Sequence, residues 1–287
     1  AGYDIFREAK VRRFLARDPS SELRGRAMEL LYPWMRRSPN QAPAFSRAFF
    51  GRNLDLADPG FSHRPRWDST SALASMLTAN LAREGAPEAP VLAALPPSSE
   101  NWDPLARAQW LEMETLLPGY ILSSQGDRML MAHSVEGRYP FLDPDLLDFA
   151  NSVPAQHKMP ALQEKHLLKL AFRDLLPEEI VRRPKQPYRA PDAASMFSAG
   201  SADWLPDAVS EDAVREAGIF QPSIVQRLVA KCRDSSGRGV GNTDNMRLMA
   251  VLSVQLLHQQ FINGRGKGPG SDHLPSPVAT CGHLQEE

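Results

Sequence analysis

Apolar residues recur at helical spacing along almost the whole chain, and the two-residue alternation of strands is scarce. That pattern confines the fold to a mainly α architecture, because a 3.6-residue period gathers into one apolar stripe only on a helix. Residues 4–17 carry Ile5, Phe6, Val11, Phe14 and Leu15 among basic residues, which predicts an amphipathic helix with a charged outer face. Ser20 or Ser21 caps a second helix to about residue 36, with Glu22 in its first turn. Further helices are expected at 42–53 and 69–83. Asp103-Pro104 and Asp143-Pro144 each set an N-cap before a proline at the first helical position, starting helices at 104–117 and 145–152. Leu105, Trp110, Met113, Leu116 and Leu117 are expected to face inward from the first of these. Pro118-Gly119 breaks it, and a second helix runs to about residue 131.

The same reading gives helices at 164–176, 177–182, 192–197, 211–217, 224–233 and 244–263. The last has Met246, Met249, Leu252, Leu256 and Leu257 inside. Residues 84–101 are rich in Pro, Ala and Ser and read as a surface loop, and 264–287 as a disordered tail. No internal repeat is present. Lysine plus arginine number 33 and aspartate plus glutamate 34, so the balance gives no ground for a nucleic-acid or membrane surface. Two cysteines, Cys232 and Cys281, cannot make a disulfide framework, which favours a reducing, cytoplasmic setting. Cys281, His283 and His273 fall short of a convergent ligand set, and no metal site is expected.

Two stretches break the helical pattern. In residues 123–143 the charges Asp127, Arg128, Glu136, Arg138 and Asp143 are threaded through Met129, Met131, Tyr139, Phe141 and Leu142. Such charges are either internal salt bridges or site residues. In residues 181–191, Arg182, Arg183, Lys185 and Arg189 crowd a segment stiffened by Pro184, Pro187 and Pro191. It is either an anion-binding loop or a basic surface turn.

The run from Asp127-Arg128 through Met131-Ala132-His133-Ser134 and Glu136-Gly137-Arg138 to Tyr139-Pro140-Phe141-Leu142-Asp143 resembles the DRxxMAxSxExRxPFLD signature of the asparagine synthase family. Glu164-Lys165-His166-Leu167-Leu168, Leu176-Pro177-Glu178-Glu179-Ile180 and Arg183-Pro184-Lys185-Gln186-Pro187-Tyr188 resemble its later blocks in order and spacing. The resemblance is dense over residues 103–200. Ala1-Gly2-Tyr3 is similar to the end of an acidic GEGADELF block that precedes a helix, so the opening is expected to be a cut inside a larger domain. The ATP signature SGGxDS and the glutaminase domain with its nucleophilic cysteine would lie upstream.

The resemblance implies a fold class: the mainly α, helical C-terminal part of a PP-loop ATPase-type α/β synthetase domain, related to the adenine-nucleotide α-hydrolases. Residues 1–263 would belong to it. It also implies an ATP-dependent amide ligase that forms an acyl-adenylate on a carboxylate, aspartate in the type enzyme, and converts it to an amide with ammonia from a glutaminase domain. ATP and Mg²⁺ are the implied cofactors, and a homodimer is admitted. Lys185 occupies the family's pyrophosphate-binding position with Arg183 beside it. Glu136 and Arg138 match its polar pair at the acyl-adenylate pocket, Asp127 and Arg128 hold that segment, and Lys165 is a further phosphate contact.

Two positions depart from the family pattern. Gly137 stands where many members carry a larger residue, and Tyr139 where many carry Val, which loosens the segment or admits a bulkier substrate. Natural-product amide formers of the same family, or a non-catalytic helical remnant, are the alternatives. Taken alone, the chain is expected to be inactive and to expose a large apolar patch on the helix at 4–17 and on segment 121–142.

Overall fold

The computed structural model describes residues 2–31, 48–82, 85–183, 192–197, 203–234 and 240–263. Among these the regular structure is helical, and strand pairing is confined to one antiparallel bridge between Leu77 and Phe220. The chain divides into two compact units, residues 1–71 with 85–188 and residues 72–84 with 189–287.

The first unit is organised by α1 (Asp4–Ala16). Ile5, Glu8, Ala9, Arg12 and Leu15 share its inner face at helical spacing, and all are buried. Ser21 caps α2 (Glu22–Arg26), its hydroxyl accepting from the Arg24 amide at 3.3 Å. Val11, Leu15, Met28, Leu31 and Phe50 close one core around these helices. After α3 (Arg64–Ser71) and the short α4 (Ala89–Ala93) comes α5 (Pro104–Thr115). The Asp103 carboxylate caps α5 by accepting from the Leu105 amide at 2.7 Å. Ala108 of α5 packs with Ile5, Phe6 and Met159 in a second core.

From there the chain continues through a π-helix (Leu117–Asp127), α6 (Arg128–Ala132), α7 (Pro144–Ser152), α8 (Ala155–Lys158), α9 (His166–Ala171) and α10 (Glu178–Arg182). Between residues 113 and 183 only Met159 and Glu164 are buried.

The second unit has one core. Its helices are α11 (Asp192–Phe197), α12 (Leu205–Ala208), α13 (Glu211–Ala217), α14 (Pro222–Asp234) and α15 (Asn242–Leu257). Val225, Leu228, Val229 and Cys232 of α14 meet Leu248, Val251 and Leu252 of α15, with Val214 and Phe220. Residues 76–78 are tied on by the bridge, where the Gln221 amide donates to the Met76 carbonyl at 2.8 Å and the Thr78 amide to the Ile219 carbonyl at 2.9 Å.

Several local expectations are corrected. The α1 helix does not keep its charges outside: Glu8 and Arg12 lie on the buried face, because each has a polar partner there. The helix expected at 42–53 has ended by residue 51, where the chain turns, with Asn53 at φ 50. The helix expected at 69–83 instead begins at Arg64 and tightens to a 3-10 turn at Ala72–Met76 before the bridge. The loop expected at 84–101 contains α4 and a 3-10 turn at Pro97–Asn101.

Pro118-Gly119 does not stop the helix. The chain widens to π geometry, with the Ile121 amide reaching the Leu116 carbonyl at 3.2 Å, so the missing proline amide is bypassed. The helix expected from Glu164 starts only at His166, since Lys165 sits at φ 55, and it ends at Ala171. The expected inner faces are rotated in two helices. Ala108, Leu111 and Glu112 are buried on α5 while Met113 is exposed; Leu248, Val251, Leu252 and Gln255 are buried on α15 while Met246 and Leu257 are exposed. The ends of the helices expected near residues 36 and 83, and the tail at 264–287, lie outside the described residues.

Candidate functional site

The segment from Asp127 to Asp143 carries most of the expected site residues. The π-helix delivers Asp127 to the start of α6, and residues 135–139 then run without helical structure before a 3-10 turn at Pro140–Leu142. The Tyr139 hydroxyl returns to donate to Asp127 Oδ1 at 2.8 Å. This bond raises the phenol pKa, because ionising Tyr139 beside a carboxylate would set two anions together. The bond ties Asp127, at the end of the π-helix, to Tyr139 twelve residues on.

The two departures from the family pattern fit one another. A Cβ on Gly137 would stand 2.4 Å from Leu130 Cδ1 and 3.1 Å from the Tyr139 hydroxyl, so the larger ring at 139 and the missing side chain at 137 are complementary. Gly126 serves the same ring: a Cβ there would meet the Tyr139 hydroxyl at 2.8 Å and the Ile121 carbonyl oxygen at 3.2 Å. Gly137 thus does not leave a void; Leu130 and Tyr139 fill it.

Glu136 and Arg138 pair with each other at 2.8 Å, and both side chains are largely exposed. An exposed pair of this kind contributes little to stability, which leaves both groups available to a ligand. Arg128 is exposed at the first position of α6.

Lys165 and Arg183 lie elsewhere. The Lys165 side chain runs over Gly2, where a Cβ would stand 3.2 Å from Lys165 Cε. Its neighbour Glu164 is buried and pairs with Arg7 of α1 at 3.4 Å, which ties the turn at 159–165 to α1. Arg183 ends α10, and its carbonyl accepts from Lys169 Nζ at 2.9 Å. Arg182 is taken up by Glu178 at 2.5 Å. Lys185 and Arg189 lie outside the described residues.

Among the described residues, no hydrogen bond or ion pair joins Lys165 or Arg183 to Asp127, Glu136 or Arg138. No group of three or more His, Cys, Asp and Glu among them could hold a metal ion. No described helix is long and apolar enough to cross a membrane.

Large apolar side chains are exposed on one of the two segments where an apolar patch was expected. Met129, Met131, Val135 and Phe141 are exposed, the last at 63%, and the exposure continues through Phe149, Phe172 and Leu175. The α1 helix does not share it. Ile5, Phe6, Val11 and Leu15 are buried, and only Phe14 stands out.

Sequence reading missed a buried polar cluster beside α1. Glu8 pairs with Arg66 through both carboxylate oxygens, the second contact at 3.0 Å. His63 and Glu112 approach at 3.8 Å, but burial lowers the His63 pKa to about 3 and raises that of Glu112. Both shifts favour the neutral forms, so this contact is not an ion pair. The signal was present in the periodicity, since Glu8 and Arg12 are in phase with Ile5 and Leu15.

The asparagine synthase family model matches residues 1–259. A Mycobacterium tuberculosis protein provisionally named asparagine synthetase (glutamine-hydrolyzing) is 29% identical over 218 residues, covering 76% of this chain and 29% of that protein. Asparagine synthetase (glutamine-hydrolyzing) 1 of Bacillus subtilis is 27% identical over 181 residues, 63% of this chain and 27% of its own length. Over a shorter stretch, amidase chry2 of Gibberella zeae is 35% identical across 98 residues, 32% of this chain and 15% of that protein. No solved structure matches. The chain spans less than a third of the length of these curated relatives. With the Asp127–Asp143 signature intact and the family model covering residues 1–259, the chain belongs to the asparagine synthase family.

Proposed function

We propose that this chain works within an ATP-dependent amide ligase that passes through an acyl-adenylate. The carboxylate oxygen of the acid substrate, aspartate in the first instance, attacks the α-phosphorus of ATP. The bond to the β-phosphate oxygen breaks and pyrophosphate leaves. Ammonia, supplied by glutamine hydrolysis in another domain, then attacks the acyl carbon, AMP departs with the C–O bond electrons, and the amide remains. The observation that carries this reading is the ordered Asp127–Asp143 signature inside a family match over residues 1–259.

Within it, Glu136 and Arg138 are the polar pair at the acyl-adenylate, free to re-pair because their mutual contact is solvent-exposed. Tyr139 and Asp127 hold their segment. Lys185 and Arg183 neutralise the departing pyrophosphate, with Lys165 as a further phosphate contact. Mg²⁺ would travel with the triphosphate rather than reside in the described residues. The packed Gly137–Tyr139 pair favours a substrate pocket altered in shape from that of the type enzyme, so an amide former acting on another carboxylate is the second reading.

The test is carboxylate-dependent release of AMP and pyrophosphate by the complete gene product, with aspartate and a panel of other acids. Aspartate-dependent AMP matched by asparagine is expected. Lys185→Ala should lower synthesis by about 10²–10³ with glutamine hydrolysis retained. Release of ADP in place of AMP, or near-normal synthesis by Lys185→Ala, would overturn the assignment. Amide formation on an acid other than aspartate would select the second reading.

A further inference from the structure

The turn between α8 and α9, residues 159–165, holds two side-chain-bearing residues in left-handed backbone, Ala161 at φ 46 and Lys165 at φ 55. That conformation is costly for any residue with a Cβ, and glycine would avoid the cost. Other residues stay there only where their surroundings over-determine the chain.

The surroundings here are supplied by α1. Met159 is buried with Ile5 and Phe6, and its carbonyl accepts from Lys10 Nζ at 2.7 Å. Leu162 packs against the core of Val11 and Leu15. Arg7 pairs with the buried Glu164 at 3.4 Å. This last link lies one residue before Lys165, so it fixes the backbone from which that side chain leaves. The Lys165 stem then runs along Gly2, where a Cβ would stand 3.2 Å from Cε and 3.3 Å from Cγ. Lys165 itself is exposed, and its ammonium has no ion pair or hydrogen bond among the described residues.

A free lysine side chain loses much rotamer freedom when it binds an anion. Lys165 has surrendered part of that freedom within the fold, while its charge stays unused there. A cation confined in advance binds with less further ordering. We propose that Arg7, Glu164 and Gly2 are positioning residues that hold the Lys165 ammonium in place for a phosphate group. That the anion is a phosphate rests on the amide-ligase reading; the confinement of the side chain does not.

The probe is inorganic pyrophosphate, titrated by calorimetry against the complete gene product, with AMP release measured on the same proteins. Saturable binding by wild type is expected. Lys165→Gly should weaken it at least about tenfold, the size of one lost charge-assisted contact. It should leave the melting temperature unchanged or raised, since glycine accepts the left-handed backbone. Gly2→Ala crowds only the flexible stem, and Glu164→Gln removes the charge of the buried link; each should weaken pyrophosphate about three- to tenfold. In a Lys165→Gly background neither should weaken it further, whereas a merely structural role would add the same loss in both backgrounds.

A lowered melting temperature in Lys165→Gly would overturn the proposal, because the residue would then be kept for its packing. So would additive losses, or no saturable binding by wild type up to about 10 mM. If Glu164→Gln fails to fold, Gly2→Ala carries the same comparison alone. AMP release with pyrophosphate affinity unmoved in Lys165→Gly and Gly2→Ala would sink the proposal and leave the amide-ligase reading standing. Coupled losses of affinity in a protein that releases no AMP would do the reverse.

Discussion

Arg12 is the most completely buried cation in the described residues, and its removal is the sharpest test of how the first unit is held. From the middle of α1 its guanidinium donates to four carbonyls between residues 50 and 61: Phe50 at 3.1 Å, Arg52 at 2.9 Å, Asn53 at 2.8 Å, and Phe61. The Phe61 ring lies under it at 4.4 Å. Burial lowers its pKa to about 10, while Glu8, Asp58 and Asp68 hold it up, so it stays charged at neutral pH. In Arg12→Met the side-chain volume is nearly kept and the donors vanish.

The four acceptors then divide by exposure. Arg52 and Asn53 are exposed and their carbonyls can return to water, whereas Phe50 and Phe61 are buried and theirs are orphaned. Two orphaned buried carbonyls cost about 1–3 kcal/mol each. The relieved desolvation of the guanidinium offsets part of this. The expected net loss is about 3–4 kcal/mol. Native-state hydrogen exchange, followed on peptides covering 48–63, should accelerate by about 10²–10³, the factor that such a loss implies where exchange tracks local opening. Arg12→Lys should fall between, since an ammonium offers three donors at one point and cannot span the turn. Exchange within about threefold of wild type in Arg12→Met would refute the idea that this one side chain organises the turn.

Acid should act through His63. Its folded pKa of about 3 lies below the usual 6.5, so its contribution is whole above 6.5 and is lost as pH falls toward 3, with a slope of up to about 1.4 kcal/mol per pH unit. Glu112, raised above 4.5, acts in the opposite sense, contributing fully below 4.5 and losing that contribution as pH rises through its folded pKa. Because the two oppose each other between pH 4.5 and 6.5, urea midpoints there should rise less with pH, or fall more, in His63→Gln than in wild type; equal slopes would mean that His63 is not held neutral.

Asp127→Asn should bring the Tyr139 phenol back toward its ordinary pKa, read by NMR of labelled tyrosine; an unmoved titration would show that the bond does not form. Gly126→Ala should disturb the same signal more than Gly137→Ala, because the Ile121 carbonyl cannot move aside as Leu130 can. In the second unit, Leu248→Ala should cost about 2–5 kcal/mol by chemical denaturation, and Met246→Ala less than about 1; similar losses would contradict the assigned inner face of α15.

The sequence by itself settled what depends on neighbours along the chain. Asp103-Pro104 and Asp143-Pro144 start helices because a carboxylate two or three residues ahead satisfies an orphan amide wherever the chain lies. Ser21 and Ser210 do the same for α2 and α13. The signature from Asp127 to Asp143 was legible as a string, and so was the family. Which face each helix buries was not. Met113 and Ala108 are both apolar, and only the packing of α5 on α1 chose Ala108. Glu8 and Arg12 looked like an outer face because their partners, Arg66 and the carbonyls of residues 50–61, are 38 to 58 residues away. Local hydrogen bonding is written in local sequence; burial and charge pairing across long separations exist only once the tertiary structure brings those residues together.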